Sequence, residues 1–593
     1  MKNVIQNVIW PSLDLVAEAA LYIRKNEFAN VRLSEHLANI DKHGKLFFDT
    51  YFNVFQVECW KQNANLSDLT LTLKGKGKVC VRIELHRIGI SHQILDEVDL
   101  ILTPDGVDLP ISCWDTLVDG LLSFSIEGLE EVEYYGGFYS TSTSKLQSVK
   151  VGLVITHFNR KSYVVPAIKR LSELLLANNS YRNKVTLTVI DNSQNLTDEE
   201  ASLANVVKNP NLGGSGGFTR GLYELINLGG YTHCVFMDDD ASCEVESIIR
   251  TVHILEYSTN PNMAISGALL RELEPYRLFE KGAKFNIGSY PLKSGLDMRS
   301  VHDLLVADQT FEKPDYGAWW YFAFPIEKIK HFAFPFFVRG DDIMFSLMNH
   351  FDIKTYLGIS CWGDDFSLKD GPMPRYLDTR QNLVQNARLG TAMIPQLKLI
   401  LRLFLGALFS YNYASAHSVT LAIKHYMKGP MFWRENMDMA SVRNEVSNHP
   451  CQEKMQPLDP SDYDLLFGSV YEKRYQKWLR VISLNGFLLP KSFIRKRTVF
   501  QEKGFKAWVR MLYRYESVLY YYTPLKLGYV ASHDKIQFAK ELKAFTIVFL
   551  GLLRNFKTIQ VQYQKEIPEL TNYEFWKSVY TDQSTKKGAS HDK

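Results

Sequence analysis

The 593-residue chain has no run of about 18 apolar residues, the length a membrane-spanning helix needs. Its longest apolar stretches, Leu399 to Phe409 and Ala544 to Leu553, are too short, and Arg402 interrupts the first. Both read as buried or interfacial helices. The first residues, MKNVIQNVIWPSLDL, lack the charged start and apolar run of a signal peptide. Cysteine is sparse: seven, scattered and odd in number, with no CxxC pair. That argues for neither a cysteine zinc site nor a disulfide framework and predicts a reducing, cytoplasmic setting. A net charge of +3 is too small to imply a nucleic-acid partner. GxGxxG and a P-loop lysine are also missing, which argues against a nicotinamide fold or an ATPase.

What remains is a globular composition, 46% hydrophobic and 22% charged, long enough for several domains. Residues 1–148 alternate apolar and polar positions. LTLTLKGKGKVCVRIELH (69–86) predicts two strands with Gly75 and Gly77 in a hairpin turn, and LLSFSIEGLEEVEYYGGFYS (121–140) repeats the pattern. A β-sandwich is expected, its aromatics serving either packing or sugar contact. At Val151 the pattern changes. VGLVITHFN, a helical segment from Val165 to Ala177, VTLTVIDNSQN, and a glycine-rich turn with its helix give a β-α-β-α-β order. Residues 149–390 therefore predict an α/β, Rossmann-like domain with a parallel sheet. Residues 391–580 read as helical with interleaved basic and aromatic side chains, and 581–593 as a polar, disordered tail.

The chemistry-bearing residues cluster where predicted strands end, the edge that faces ligands in such sheets. Asp191 ends the second strand and can accept hydrogen bonds from a nucleoside or simply hold a turn. Asn209 to Arg220 places Gly213, Gly214, Gly216 and Gly217 before a helix whose free N–H groups suit an anion, with Arg220 adding charge. Asp238-Asp239-Asp240 follows a buried apolar run. Alternate residues of an extended chain point the same way, so Asp238 and Asp240 can share a divalent metal while Asp239 faces elsewhere. Trp319-Trp320 suits sugar stacking or the core. Asp341-Asp342 begins a predicted helix, as a cap or as a general base.

Taken in order, NPNLGGSGGFTRG, FMDDDA, AWWY and FVRGDD resemble the bacterial galactofuranosyltransferases of glycosyltransferase family 2. DTYFN (49–53) in a β-rich N-terminal region and a helical C-terminal region fit the same architecture. The resemblance implies a GT-A catalytic domain. It implies Asp191 near the uridine; Asn211, Gly213, Gly214 and Arg220 near the donor diphosphate, with support from Arg380; and Asp238 and Asp240 on Mg²⁺ or Mn²⁺. Trp319, Trp320 and Glu280 would contact the acceptor, and Asp342 would be the catalytic base with Asp341 beside it. One departure stands out. A galactan polymerase of the family has a metal-binding histidine directly after a tryptophan, whereas here Gly363 follows Trp362. Either Asp364 or Asp365 is then the expected replacement ligand or the metal has fewer protein ligands, and an all-oxygen set favours Mg²⁺.

The resemblance implies inverting transfer of galactofuranose from UDP-galactofuranose to a lipid-linked glycan of an O-antigen, capsule or galactan. The expected setting is the inner face of the plasma membrane, with homo-oligomers allowed. The alternatives are another donor such as dTDP-rhamnose, or a non-catalytic glycan-binding assembly protein.

Overall fold

The computed structural model describes residues 2–588 apart from 13, 17, 365–368, 469–470 and 504–508. The chain divides into two compact units. Met1–Phe332, Phe345–Asp364 and Tyr580–Lys593 make the first, and Ala333–Met344 with Asp365–Val579 the second.

The expected boundary near residue 148 does not separate compact units. Tyr22, Tyr51, Phe52 and Leu121 share one buried core with Ala268, Leu270, Leu304 and Trp362. Asn7 donates to both carboxylate oxygens of Glu246. Within this unit, residues 3–141 form an eleven-stranded assembly. Thr70–Arg87 is one strand of 18 residues rather than a hairpin. Its first half pairs with Val132–Thr141 and its second with Leu121–Gly128. The glycines bring strands together instead of reversing the chain. A Cβ on Gly75 would meet the Glu133 carbonyl at 2.4 Å, and Gly77, at φ +102°, lies against the Glu131 carbonyl.

The α/β region follows, with strands whose burial is nearly continuous, as strands covered on both faces require. Its elements are β1 (Val151–His157), α1 (Lys161–Leu171), β2 (Val185–Asp191), β3 (Asn205–Lys208), α2 (Gly213–Leu228) and β4 (His233–Asp238). Then come α3 (Val245–Tyr257), β5 (Met263–Ser266), β6 (Phe322–Pro325), α4 (Asp341–Asn349) and β7 (Asp352–Lys354). The sheet order is β3-β2-β1-β4-β6-β5-β7. The first four strands are mutually parallel, and β6 runs antiparallel to both neighbours. Register places His157 beside Asp191 and Thr156 beside Asp238, so the ends of β1, β2 and β4 share one edge. Helix α2 lies directly on β1. A Cβ on Gly217 or Gly221 would approach Thr156 or Val154 to 2.3 or 2.2 Å.

The second unit contains α5 (Pro372–Arg388), α6 (Met393–Phe409), α7 (Tyr413–Tyr426), α8 (Arg474–Ile482) and α9 (Lys535–Leu570). It is not purely helical, as expected from residue 391 onward. A five-stranded sheet includes Arg495–Glu502, Tyr515–Tyr522 and Leu527–Ser532. The YESVLYYY segment is aromatic-rich and buries Val518 and Leu519 completely, which suits a sheet face better than a helix stripe. The expected disordered tail from 581 is also shortened: the last helix runs Tyr573–Gly588, and 589–593 lie outside the described residues. Among the described residues, no helix is long and apolar enough to cross a membrane.

Candidate active site

Asp191 closes β2 fully buried, and its carboxylate is spent on its own loop. Oδ1 accepts from the Ser193 N–H at 3.0 Å, and Oδ2 from Asn195 and Leu196 at 2.8 and 2.9 Å. The expected nucleoside contact therefore becomes an organising role: Asp191 shapes residues 192–196, and its oxygens face backbone.

The glycine-rich turn opens α2 as expected. Gly213 adopts φ +68°, which favours glycine, and donates its N–H to the Asn211 side-chain oxygen at 3.1 Å. Gly214 is the second residue of the helix, and Leu212 before it supplies no side-chain cap. Arg220, one face of α2 further on, pairs with Glu224 at 2.6 Å and lies over the Tyr580 ring.

The acidic triplet leaves the sheet at Asp238, the last residue of β4. Asp239 packs back on the end of β1. Its carboxylate accepts the Phe158 N–H at 3.2 Å and faces the His157 Nδ1 at 3.3 Å. Arg160, just after β1, pairs with Asp240 and stands 3.6 Å from Asp239. Burial alone would lower the Arg160 pKa, but Asp240, Asp239 and Asp364 together hold it above the usual value. For His157, burial again opposes the charged form, but hydrogen bonds to Asp239 and Asn195 outweigh it and raise the pKa. Asp364 joins from a neighbouring strand. Ser242 pairs with Trp362 and Cys243 with Cys361, and Asp364 directly follows that partner strand, Ser360–Gly363. Asp365 lies outside the described residues. Asp238 and Asp240 also act on Cys361, whose thiol is pushed up first by burial, then by Cys243 and then by these two charges. Asp239, Asp240 and Asp364 thus all act on the Arg160 guanidinium, and Asp238 and Asp240 on the Cys361 thiol; carboxylate oxygens are the donor type that hard divalent cations take.

In the second unit, Asp341 and Asp342 open α4. The Asp342 Oδ1 accepts the Ile343 N–H at 2.8 Å. Burial, then the Asp341 charge, push the Asp342 carboxyl up to about 7, although backbone N–H groups of Ile343 and Gly340 pull the other way. The preceding loop is tightly wound: Phe337, Arg339 and Gly340 all have positive φ. Helix α5 holds it. The Arg339 guanidinium pairs with Asp378 at 2.7 Å, and Gln385 donates to the Gly340 carbonyl at 2.7 Å. A Cβ on Gly340 would strike the Gln381 side chain.

Arg380 belongs to this support, which corrects the diphosphate role expected for it. It is fully buried and donates to the carbonyls of Phe336 and Val338, with Trp433 and Tyr376 against its guanidinium. Burial lowers its pKa to about 10. Its charge serves the loop that carries Asp341 and Asp342.

The two expected aromatic contacts part company. Trp319 is buried edge-on against Phe218, Phe236 and Phe345 and so serves the core. Trp320 is half-buried, and its indole N–H donates to the Gly267 carbonyl at 3.0 Å. Glu280 is buried at the end of the strand Leu278–Glu280. Sequence reading places His157 at a strand end without giving it a role, and it missed Arg160, three residues further on. It also missed Asp378 and Gln385, which become legible only as residues 7 apart on one helix face.

No protein-family model matches the chain. It is similar to the galactofuranosyltransferase GlfT2 of Mycolicibacterium smegmatis, with 22% identity over 448 residues, 69% of this chain and 68% of that protein. The Mycobacterium tuberculosis GlfT2 is 22% identical over 427 residues, 66% of each chain. These relatives make a glycosyltransferase the class of protein the chain resembles. Among solved structures, mannosyl-3-phosphoglycerate synthase from Rubrobacter xylanophilus aligns at 14% identity with a TM-score of 0.26, covering 42% of this chain and 77% of that one. S. aureus TarS aligns at 10% with a TM-score of 0.25, covering 52% and 95%. Scores this low carry no argument about the fold.

Proposed function

We propose that the chain is an inverting, metal-dependent galactofuranosyltransferase of family 2 and GT-A type. It moves galactofuranose from UDP-galactofuranose to a lipid-linked bacterial surface glycan. The observation that carries this reading is the placement of Asp342 at the head of α4 on a loop braced by Gln385 and by the Arg339–Asp378 pair, where burial and the Asp341 charge raise the proton affinity of its carboxyl. A base with that affinity accepts a hydroxyl proton near neutral pH and gives it up again between turnovers. The similarity to the galactofuranosyltransferase GlfT2 supports the transferred sugar, and the nucleotide donor and acceptor class are carried by the family resemblance of the motifs.

In this mechanism Asp342 takes the proton of the acceptor hydroxyl as its oxygen attacks the anomeric carbon and the bond to UDP breaks. Asp341 keeps the Asp342 affinity high by its charge. Asp238, Asp240 and Asp364 would hold Mg²⁺ or Mn²⁺, which when bound neutralises charge on the departing diphosphate. Arg160, which pairs with Asp240 beside these carboxylates, would offer its guanidinium to phosphate oxygens of the donor. The first turn of α2 adds positive potential near the same strand edge, while Arg220 is paired with Glu224 further along the helix.

The acceptor's lipid makes the inner membrane face the expected workplace. Helix α8 supports this. It exposes Tyr475, Trp478, Leu479, Val481 and Ile482 alongside Arg474 and Lys477, the pairing that binds anionic interfaces. Sedimentation with anionic vesicles at low salt tests it; a Trp478→Ser chain that sediments as well as the parent removes α8 from the account. The enzymatic reading itself is tested by Asp342→Asn, which should keep UDP binding and lose most turnover. Near-normal turnover by that variant sinks the assignment of the base.

A further inference from the structure

Away from the residues given roles above, the helical unit brings two imidazoles onto one buried carboxylate. Glu541 lies on the first third of α9, His417 on α7, and His449 follows the helix Ala440–Ser447. The Glu541 side chain is 1% exposed and that of His449 4%, while His417 is 32% exposed and opens the cluster to water. The His417 Nδ1 stands 3.1 Å from one oxygen of Glu541, and the His449 Nε2 stands 3.4 Å from the other. The ring centroids are 5.2 Å apart. All three ligand atoms lie within 4.8 Å of one another.

We propose that His417, His449 and Glu541 form a zinc-class metal site, with solvent supplying the fourth ligand on the His417 side. Two imidazoles and one carboxylate are a borderline donor set that prefers Zn²⁺ to hard cations. Ligands about 2.0–2.1 Å from a tetrahedral zinc stand roughly 3.3 Å from each other, close to the two nitrogen–oxygen separations here. The outer partner of His449 is also present. Its Nδ1 lies 3.2 Å from the Cys451 N and 3.4 Å from the Cys451 carbonyl. In the metal-free protein the amide can donate to this nitrogen. With Nε2 on the metal, Nδ1–H donates to the carbonyl instead, the arrangement that commonly orients a ligating histidine. The site ties three segments far apart in sequence, so its role is to clamp the helical unit.

The test is Zn²⁺ titration of the chelator-stripped full chain against a competing indicator, in excess Mg²⁺ to occupy the oxygen-rich acidic triplet. One Zn²⁺ should bind per chain and raise the melting temperature by about 5 °C. His417→Gln and Glu541→Gln should each weaken binding by at least about tenfold. The Co²⁺-loaded chain should show the intense visible bands of a tetrahedral ion, lost in both variants. His417→Gln alters a half-exposed residue, so it reports on binding even where Glu541→Gln fails to fold. Absence of Zn²⁺ binding in Mg²⁺, or equal binding by His417→Gln and the parent, would leave a hydrogen-bonded network and overturn the proposal.

Discussion

Two aspartate clusters sit in different units of this chain and manage their charge in opposite ways. The triplet after β4 is compensated: His157 faces Asp239, and Arg160 bridges toward Asp239 and Asp240. At the head of α4 the balance differs: Arg380 acts on Asp341, yet burial and the Asp341 charge still raise Asp342 to about 7. Carboxylates matched to an exchangeable cation are suited to hold charge, and carboxylates kept hungry for a proton are suited to move one. The difference teaches that an acidic motif's chemistry follows from what surrounds it more than from its acidity.

The comparison breaks most visibly at Asp342. Asp342→Asn should lower turnover about 10²–10⁴-fold with UDP affinity retained. It should also alter stability in a defined direction. The folded pKa is raised above the ordinary 3.8, so the folded state binds the extra proton, and this group's contribution to stability falls as pH rises from there through about 7. The Asn variant should therefore gain melting temperature over the parent at pH 8 relative to pH 5. No gain would mean that the carboxyl is not held protonated.

Asp240→Asn tests the other cluster. Metal-dependent UDP binding should weaken on the order of 10–100-fold, with the pH profile of remaining turnover unmoved. A shifted profile would mean that the two clusters are not chemically distinct. Arg380→Met removes the buried brace of the loop and leaves carbonyls unsatisfied, at about 1–3 kcal/mol each. Turnover should fall roughly tenfold while UDP binding holds; an equal loss of both would return Arg380 to the donor site. The finest effect is Asp341→Asn. Without its charge, the rising limb of the pH–rate profile should move to lower pH, and an unmoved limb would remove Asp341 from the control of Asp342.

Much of this was legible in the sequence because strand ends are. Continuous apolar runs followed by HFN, IDN and MDDD predict the α/β sheet and put His157, Asp191 and Asp238 on one edge. Whether a carboxylate faces ligand or backbone was not legible. Asp191 and Asp238 end similar runs, yet the N–H groups of Ser193, Asn195 and Leu196 consume the first. Arg380 misled for a related reason: nothing local marks a cation as buried under Trp433 and Tyr376. The glycines of 69–86 carried a turn signal but serve close strand approach, a tertiary fact. YESVLYYY read as helix because aromatic runs without clear alternation carry little period information.

The central claim is metal-dependent transfer of galactofuranose. The most direct measurement is UDP release by the full chain from UDP-galactofuranose with a lipid-linked acceptor, with Mg²⁺ or Mn²⁺ present and then chelated. UDP-galactopyranose and dTDP-rhamnose serve as controls, scored by release of their own nucleotides. The account predicts turnover of the furanose donor alone, lost on chelation and restored by adding the metal back. Turnover indifferent to chelation, or supported by dTDP-rhamnose instead, would contradict it.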